Sequence, residues 1–230
     1  MSEGGTRNDL PGKIREFQKR VIDWYINYGD SHIPWRNTNN PWFVLVATIL
    51  LRKTTTAQVL KIYPVFIEKY PDPFAMVRSS KEEIRELIRP LGMEHQRAEL
   101  FIKLAKALIE RFQGRVPCSF EELKELPGVG DYAASEVLLV ACEQPAPLLD
   151  RNMIRIIERV FGIRSVKRRK HTDPEMWAFA KRLVPKEPKK AKLFNYGVLD
   201  FARKICIARN PRCDKCPIKD ICYYYTANRK

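Results

Sequence analysis

The sequence predicts an all-α protein, because apolar residues recur at helical spacing and helix-start signals precede them. The clearest apolar face lies near the N-terminus and consists of six residues: Ile14, Phe17, Val21, Trp24, Tyr25 and Tyr28. Three pairs have the spacing of a capping box: Ser80 and Glu83, Ser119 and Glu122, and Thr172 and Glu175. Alternating apolar runs joined by Asn-Gly turns, which would predict strand hairpins, do not occur in the sequence. We therefore expect roughly ten short helices.

Glycines and prolines mark the ends of the predicted helices. Gly114 and Gly162 each follow an apolar periodic run, and glycine suits the left-handed residue just beyond a helix C-terminus. Most prolines lie between the periodic segments, whereas Pro64 lies inside one and is expected to kink or split it. Cys118 and Cys142 fall in helical contexts and are expected to be small core residues.

Composition limits the class of the protein and its partners. The chain has 230 residues, of which 45% are hydrophobic and 30% charged, and this excludes a disordered or collagen-like polypeptide. The formal net charge of +15 predicts a polyanionic partner, most often nucleic acid. The longest apolar stretch, residues 42–51, is too short to span a bilayer, and the N-terminus lacks the apolar segment of a secretory signal. We expect an intracellular protein of the cytoplasm or nucleoid with no membrane partner, whose six cysteines are reduced or bound to metal rather than paired as disulfides.

Four cysteines near the C-terminus form the strongest chemical signal. Their spacing is Cys206-x6-Cys213-x2-Cys216-x5-Cys222, so four thiolates can converge on one centre without ligands from elsewhere in the chain. Four soft ligands suit either Zn²⁺ or an iron–sulfur cluster. Zinc sites commonly contain two separated Cys-x2-Cys pairs, and the single pair present here favours the cluster.

A glycine-rich turn is predicted between helices at 119–125 and 132–142. It reads Leu126-Pro127-Gly128-Val129-Gly130, and the two glycines permit a tight turn with positive φ and close approach of another backbone. The amide groups that open the next helix are then available to an anion such as a phosphate oxygen. We therefore expect Gly128, Val129 and Gly130 to contact DNA.

The turn, an aspartate twenty residues after Gly130 and the four-cysteine tail occur in an order that resembles the helix-hairpin-helix DNA glycosylases of the endonuclease III superfamily. The resemblance extends from about Pro34 to Cys222, and the chain is most similar to the archaeal thymine/uracil–guanine mismatch glycosylases, which are related to MutY. Ile33-Pro34-Trp35-Arg36 resembles the segment that opens MutY-type enzymes, and residues 49–55 resemble the wedge segment of the family.

The resemblance implies two α-helical lobes with DNA in the cleft between them and the target nucleotide flipped into that cleft. Residues 34–144 would form a six-helix barrel lobe with the helix-hairpin-helix motif at about 119–142. Residues 1–33 and 145–230 would form a cluster lobe. In its loop 206–222, a [4Fe–4S] cluster would be bound by the four cysteines: Cys206, Cys213, Cys216 and Cys222. Because these ligands lie far in sequence from any candidate acid or base, we expect the cluster to be structural.

Asp150 matches the aspartate shared by the superfamily, within Leu148-Leu149-Asp150-Arg151-Asn152. Cleavage of an N-glycosidic bond develops positive charge on the sugar, and a fixed carboxylate stabilises that charge or activates the attacking water. Asp150 is also the predicted N-cap of a helix at 151–161, whose dipole favours the ionised carboxylate. Asn152 is expected either to assist at the site or to contribute hydrogen bonds at the start of the helix.

Tyr132 departs from the bifunctional members of the family, which carry a lysine at the matching position. That lysine attacks the sugar to form a Schiff base and then nicks the strand. A phenol with an ordinary pKa of about 10 does not form this adduct. Tyrosine at this position resembles the mismatch glycosylases, which implies water as the nucleophile and little or no lyase activity. The alternative interpretation of Tyr132 is a packing residue at the start of its helix.

Thr48, Arg52 and Lys53 bear on which base is removed. MutY-type enzymes carry a glutamate in place of Thr48, which protonates the departing adenine. Thymine and uracil can leave as stabilised N1 anions, so a pocket containing Thr48 is more compatible with a pyrimidine. Arg52 and Lys53 match the place where relatives insert a glutamine into the gap left by the flipped base, and a long side chain there would reach the orphan guanine. A phosphate contact or a solvated pair explains Arg52 and Lys53 equally well.

The preferred hypothesis is a monofunctional DNA glycosylase of base excision repair that hydrolyses the N-glycosidic bond of thymine or uracil mispaired with guanine. The expected partner is double-stranded DNA with a mismatched or deaminated base, bound by a monomer. Thr48 counts against an adenine glycosylase acting on A·G or A·8-oxoguanine mispairs, and Tyr132 counts against a bifunctional thymine-glycol glycosylase–lyase. Asp150 counts against a non-catalytic DNA-binding iron–sulfur protein, whereas Thr48 supports that alternative.

The positive charge is concentrated in the C-terminal part of the chain. Residues 150–230 contain 22 Lys and Arg against 8 Asp and Glu, whereas residues 1–149 contain 20 against 19. Arg209 and Arg212 lie between the first two cysteines of the tail, where the loop would hold cations against phosphate. We therefore expect salt-sensitive DNA binding, with side-chain cations from the cysteine-containing part and backbone amides from the hairpin. The alternative interpretation of Arg209 and Arg212 is that these two residues are solvated loop charges.

Overall fold

The computed structural model describes residues 9–227, and over that range the chain forms twelve α-helices and no β-strand. The prediction of an all-α protein is therefore confirmed. The chain divides into two compact units. His32–Gln144 form one, here called the central unit, and Met1–Ser31 together with Pro145–Lys230 form the other, here called the terminal unit.

Seven of the helices lie in the central unit: α2 (Pro41–Leu50), α3 (Thr56–Lys69), α4 (Pro73–Arg78), α5 (Lys81–Ile88), α6 (Glu94–Phe112), α7 (Phe120–Lys124) and α8 (Asp131–Val140). Five lie in the terminal unit: α1 (Leu10–Tyr28), α9 (Arg151–Ile156), α10 (Pro174–Leu183), α11 (Pro188–Lys204) and α12 (Tyr223–Ala227). A π-helical turn, Ile157–Phe161, continues α9. Among the described residues, no helix combines the length and the apolar character needed to cross a membrane.

Short polar side chains fix the helix starts. Ser80 and Glu83 form the predicted capping box at α5, in which the Ser80 N–H donates to the Glu83 carboxylate at 2.9 Å. The predicted box of Thr172 and Glu175 is wrong. Asp173 occupies the N-cap of α10 instead and accepts a hydrogen bond from the Glu175 N–H at 3.1 Å. An aspartate one residue closer to the helix therefore replaces the threonine as the cap.

The predictions for the two glycines are confirmed, whereas the split predicted at Pro64 is not observed. Gly114 and Gly162 both adopt the predicted left-handed conformation, with φ of +79° and +74°. Pro64 does not split its segment, because α3 continues without interruption from Thr56 to Lys69. Tyr63 and Phe66 on either side of the proline are completely buried, and this burial outweighs the single hydrogen bond that proline removes.

The core of the central unit supports the helix–turn–helix segment formed by α7 and α8. Helix α2 packs against α3 and α8, and every residue of α8 from Ala133 to Val140 is buried. Phe101 of α6 lies 4.8 Å, ring to ring, from Phe66 of α3. The turn between α7 and α8 is thus held by a helix that is almost completely enclosed.

The core of the terminal unit lies between α1 and α11. Phe17 meets Phe194 edge to face with ring centroids 5.7 Å apart, and Trp24 meets Phe201 in the same way at 5.3 Å. Five of the six residues of the predicted apolar face are buried, whereas Tyr28 is 65% exposed and the prediction for it is wrong. Tyr28 is the last residue of α1.

Cys118 and Cys142 form a disulfide with a Cα–Cα distance of 5.8 Å. Cys118 is exposed and Cys142 half-buried, so the prediction that both are core residues is wrong. The expectation that all six cysteines avoid disulfides is wrong for this pair. Cys118 precedes α7 and Cys142 follows α8, and the antiparallel course of the two helices brings these distant ends of the segment together.

Candidate functional site

Asp150 is the N-cap of α9, as predicted, and three N–H groups hold its carboxylate. Oδ1 accepts hydrogen bonds from the backbone N–H groups of Asn152 at 2.8 Å and Met153 at 2.9 Å. Oδ2 accepts a hydrogen bond from the side-chain Nδ2 of Asn152 at 2.7 Å. Asn152 therefore serves both the helix start and the carboxylate, the two possibilities that the sequence leaves open.

Arg155 fixes the orientation of the Asn152 amide. Its Nη2 donates to Asn152 Oδ1 at 3.0 Å and to the Ala202 carbonyl at 2.8 Å, while its Nε donates to the Cys206 carbonyl at 2.8 Å. With its oxygen bonded to Arg155, the amide presents its NH₂ group to Asp150. A continuous set of hydrogen bonds therefore joins the carboxylate to the backbone of the first cysteine of the tail.

The environment of Asp150 shifts its protonation equilibrium. Burial raises the pKa of Asp150 above its ordinary value, although the N–H donors of Met153 and Asn152 and the charge of Arg155 oppose the shift. Desolvation thus outweighs the helix-start effect that the sequence suggested. A rigid, poorly solvated carboxylate interacts strongly with a positive charge that develops next to it.

The four cysteines of the tail are free thiols that line one cavity: Cys206, Cys213, Cys216 and Cys222. Burial raises the pKa of the Cys216 thiol to about 12, so a cationic centre is needed to hold it as a thiolate. Within residues 9–227, no three His, Cys, Asp or Glu side chains converge tightly enough to hold a single metal ion. Four sulfur donors around one apolar cavity fit an iron–sulfur cluster.

Arg159 and Arg20 brace the cysteine loop from two sides. Arg159 donates to the carbonyls of Ile207 at 2.7 Å and Ala208 at 2.8 Å, and its Nη1 lies 3.4 Å from the Cys206 Sγ. Arg20 of α1 donates to the Pro217 carbonyl at 2.9 Å and to the Asp220 carboxylate at 2.6 Å. The loop conformation is therefore fixed by side chains as well as by its own turns.

Cations without acidic partners cluster on the terminal unit. Arg209 and Arg212 are exposed in the cysteine loop, as expected for residues that contact phosphate. A second exposed group lies in the segment before α10: Arg164, Lys167, Arg168 and Arg169. Within the described part of the chain, none of these six side chains forms an ion pair, whereas neighbouring Lys170 is bonded to Glu158 at 2.5 Å.

The turn between α7 and α8 needs glycine at only one of its two glycine positions. Gly128 has φ of +74°, and a Cβ there would lie 2.6 Å from Leu100 Cδ1. Gly130 is extended, with φ of −97° and open space around its Cα, so the expectation that both glycines shape the turn is wrong. Val129 is buried and its N–H donates to the Leu126 carbonyl at 3.1 Å, so this residue anchors the turn.

Backbone N–H groups are presented where α8 begins. In the part of the chain that the structure describes, the N–H groups of Gly130 and Asp131 have no acceptor. The Asp131 carboxylate is paired with Lys124, and this pairing neutralises a charge that would repel a phosphate. The amides of this turn are therefore available to an anion, as the sequence predicts for the start of this helix.

Arg52 and Lys53 follow α2 and differ in accessibility. Arg52 is half-buried and its Nη2 donates to the Gly128 carbonyl, so its guanidinium lies against the hairpin turn. Lys53 is exposed and has a left-handed backbone with φ of +53°. Of the two long side chains, Lys53 extends into solvent and Arg52 is engaged inside the central unit.

Thr48 and Tyr132 also lie in the central unit, whereas Asp150 and Asn152 belong to the terminal unit. Thr48 is 8% exposed on α2, and its hydroxyl donates to the Leu45 carbonyl at 2.8 Å. Tyr132 is half-buried in the first turn of α8. The hydroxyl of Thr48 is thus already committed to its own helix.

Three arginines with several hydrogen bonds each are absent from the residues that the sequence singles out: Arg97, Arg155 and Arg159. Arg97 occupies the buried face of α6, four positions before Phe101. Arg155 and Arg159 are four residues apart on the helical stretch that Asp150 opens. A charged residue at an apolar-face position is the signal that would have identified Arg97.

Comparison with known proteins agrees with this geometry. A family model described as HhH-GPD superfamily base excision DNA repair protein matches residues 46–182, and one described as the iron–sulfur binding domain of endonuclease III matches residues 206–222. The chain is 61% identical to a thymine-DNA glycosylase of Aeropyrum pernix over 214 residues, which cover 93% of this chain and 96% of that protein. It is 57% identical to a thymine/uracil-DNA glycosylase of Pyrobaculum aerophilum over 211 residues, which cover 91% and 92%.

A solved structure described as a thermostable thymine-DNA glycosylase superposes with a TM-score of 0.89 and 34% identity, covering 96% of this chain and all of that one. The predicted helix-hairpin-helix fold, DNA glycosylase activity, DNA binding and [4Fe–4S] cofactor are confirmed by these matches. The chain belongs to the HhH-GPD superfamily of base excision DNA repair proteins.

Proposed function

We propose that this protein is a monofunctional glycosylase that removes thymine or uracil mispaired with guanine from double-stranded DNA. The observation that carries the proposal is the Asp150 carboxylate, which three N–H groups hold in a partly desolvated position. The two relatives that share more than half of their aligned residues with this chain are named thymine- and thymine/uracil-DNA glycosylase, which supports the substrate class.

Asp150 is assigned the central catalytic role. When the bond between C1′ and the base nitrogen breaks, its electron pair leaves with the base and positive charge develops on the sugar. The carboxylate stabilises that charge, and a water molecule adds to C1′ after losing a proton to Asp150, which passes it to solvent or to the departing base. Asn152 positions the carboxylate throughout, because its backbone N–H binds Oδ1 and its side-chain NH₂ binds Oδ2, and Arg155 in turn holds the Asn152 amide oxygen.

Tyr132 and Thr48 limit the chemistry to base removal from a pyrimidine nucleotide. Tyr132 supplies no amine, so no Schiff base forms and the reaction ends at the abasic site. Thr48 supplies no acid, and its hydroxyl is committed to the Leu45 carbonyl, which leaves adenine without a proton donor on this helix. A pyrimidine leaves as its N1 anion without that donor.

DNA binding is assigned to two kinds of groups. The hairpin of Gly128, Val129 and Gly130 binds phosphate through the N–H groups at the start of α8, and Lys53 enters the space left by the flipped base. The exposed cations of the terminal unit bind the phosphates of the duplex by charge, among them Arg209 and Arg212. The protein acts on these duplexes as a monomer in the cytoplasm or nucleoid.

The cluster is assigned a structural role in the terminal unit. Cys206, Cys213, Cys216 and Cys222 are its ligands, and when bound it supplies a rigid crosslink for the loop 206–222. The terminal unit is then the cluster lobe, and the central unit is the barrel lobe with the helix-hairpin-helix motif.

The experiment that tests the proposal incubates the protein with duplexes that contain T·G, U·G, A·G, A·8-oxoguanine or thymine glycol, with and without subsequent alkali. We expect strand cleavage of the T·G and U·G duplexes, and only after alkali, because the enzyme leaves an intact abasic strand. Cleavage of adenine mispairs would support the adenine alternative. Cleavage without alkali would overturn the monofunctional assignment, and no cleavage of any duplex would support a DNA-binding protein without catalysis.

A Tyr132→Lys variant tests the assignment of position 132. We expect it to form a covalent adduct with a T·G duplex that borohydride traps, because an amine then replaces the phenol. The wild-type protein and Tyr132→Phe serve as controls and should yield no adduct. A Tyr132→Lys protein that excises base but yields no adduct would show that position 132 does not face the sugar.

A further inference from the structure

Arg97 is a buried cation that forms no ion pair within residues 9–227. The residue is 3% exposed. Burial lowers its pKa and the charge of Arg52 acts in the same direction, whereas the charge of Glu94 opposes the shift. A buried charge that is not bonded to a carboxylate is costly and is retained when its hydrogen bonds organise something else.

The guanidinium of Arg97 joins two separate turns of the central unit. Nη1 donates to the carbonyls of Leu91 at 3.2 Å and Gly92 at 2.9 Å, in the turn that precedes α6. Nη2 donates to the Arg52 carbonyl and to the Thr54 hydroxyl at 2.6 Å, in the segment that follows α2. Thr54 in turn donates to the same Arg52 carbonyl at 2.9 Å.

The carbonyls that Arg97 binds stand next to two residues with unfavourable backbone conformations. Gly92 precedes Met93 and Arg52 precedes Lys53, and both of these non-glycine residues are left-handed, with φ of +54° and +53°. Such conformations cost free energy and persist only when the surroundings stabilise them. The planar guanidinium provides this stabilisation for both turns at once, because its donors are fixed in one plane.

The segment 52–54 is also connected to the hairpin. The side chain of Arg52 donates to the Gly128 carbonyl, and Leu100, which lies against Gly128, is one helical turn after Arg97 on α6. Helix α6 thus contacts both the segment and the hairpin turn. Lys53 is exposed in the middle of this arrangement, between the Arg52 carbonyl and the Thr54 hydroxyl that Arg97 binds.

We propose that Arg97 is a positioning residue that holds segment 52–54 in its left-handed conformation and thereby presents Lys53 to the duplex in fixed register with the hairpin. The inference rests on the proposed function insofar as Lys53 contacts DNA at the flipped nucleotide. Arg97 itself does not contact DNA, since its side chain is buried.

The test compares Arg97→Met and Arg97→Lys with the wild-type protein on two duplexes of one sequence, one intact and one with a tetrahydrofuran abasic analogue opposite guanine. We expect wild-type protein to prefer the abasic duplex and Arg97→Met to lose about tenfold of that preference, because a displaced segment no longer fits the gap. Affinity for the intact duplex should change little. Arg97→Lys keeps the charge but not the planar donor set, so it should show an intermediate loss.

A matched control and a double-mutant cycle separate positioning from stability. Arg36 is a second buried arginine of the central unit, and Arg36→Met should lower the melting temperature without changing the preference for the abasic duplex. In a Lys53→Ala background, Arg97→Met should have much less effect than in the wild-type background, because both substitutions remove the same contact.

Unchanged preference in a folded Arg97→Met protein, or full additivity with Lys53→Ala, would overturn the inference. A wild-type protein without preference for the abasic duplex would overturn it as well. If Arg97→Met does not fold, Arg97→Lys decides in the same way. Failure of the proposed function is seen separately, as absence of thymine and uracil excision by wild-type protein.

Discussion

The two units of the protein are similar in length but differ sharply in charge. The central unit contains 15 Lys and Arg against 14 Asp and Glu, whereas the terminal unit contains 27 against 13. In the central unit, Lys124 is paired with Asp131 at the hairpin, and Arg52 is bonded to the Gly128 carbonyl there. In the terminal unit, Arg168 and Arg169 form no ion pair with any residue between 9 and 227. The two units therefore differ in the groups they could offer to a phosphate: backbone amides at the hairpin in one, and side-chain charge in the other.

The two units also differ in the candidate functional side chains that they contain. The candidate catalytic carboxylate of Asp150 lies in the cationic unit, where Arg155 and Asn152 orient it. The neutral unit contributes Thr48, Tyr132 and the segment 52–54, none of which supplies a carboxylate. The charge of Arg155 opposes the rise in the Asp150 pKa that burial causes.

The largest effect is expected from removing the negative charge of Asp150 in the terminal unit. Asp150→Asn should lower the single-turnover rate of excision by at least about 10³-fold while duplex affinity remains close to wild type. Asparagine keeps an acceptor for the α9 amides but removes the charge, and its NH₂ group meets the Asn152 NH₂ that Arg155 holds in place.

The matched control for this variant is Asp173→Asn. Asp173 also caps a helix of the terminal unit and is buried, so the substitution makes the same chemical change away from the candidate site. Excision by Asp173→Asn should equal that of wild type at a temperature where both are folded. Equal losses in the two variants would show that Asp150 acts only as a helix cap.

The second-largest effect distinguishes the tail cysteines of the terminal unit from the disulfide cysteines of the central unit by their effect on iron content. Cys216→Ser should lose most of its iron and the visible absorbance of the cluster, because a hydroxyl is a poor substitute for a thiolate ligand. Cys118→Ser, in the central unit, should retain both, since Cys118 is paired with Cys142 and not with metal. Iron analysis and absorbance spectra of the purified proteins measure the difference, and full iron content in Cys216→Ser would contradict the ligand assignment.

A smaller effect tests which exposed cations of the terminal unit bind the duplex. Replacing Arg168 and Arg169 by Gln should reduce the slope of log affinity against log salt by about 0.9 for each phosphate contact removed. Lys186 and Lys189 are exposed cations of the same unit that form no ion pair among the described residues, and their double Gln variant is the control. Equal slopes in the two double variants would mean that only net charge matters, and that the segment before α10 has no special role.

The smallest effect on activity concerns the disulfide of the central unit. Cys118→Ser should lower the free energy of unfolding by about 3 kcal/mol under non-reducing conditions, because the disulfide restricts the unfolded chain between positions 24 residues apart. Excision should be unchanged where both proteins are folded. Denaturant unfolding with and without reductant provides the measurement, and a difference that persists in reductant would not come from the crosslink.

Local sequence patterns predicted helix starts and ends well where a few neighbouring residues decide the outcome. Ser80 with Glu83 caps α5 and Gly162 ends the stretch after Asp150, because each depends on atoms within one or two turns. Patterns failed where distant residues compete. Pro64 stays within α3 because its neighbours are buried, and Cys118 finds Cys142 only because α7 and α8 fold back on each other.

By itself the sequence determined the all-α class, the four-cysteine pattern of the tail, Asp150 as a helix cap and the uneven charge, because composition and short-range spacing define these features. Only the tertiary structure decided which arginines connect distant backbone segments through hydrogen bonds. Arg97 and Arg155 bind carbonyls more than forty residues away in sequence, at Arg52 and Cys206. Such partners are set by how helices pack, because a buried guanidinium must satisfy its donors with whatever backbone the fold brings to it.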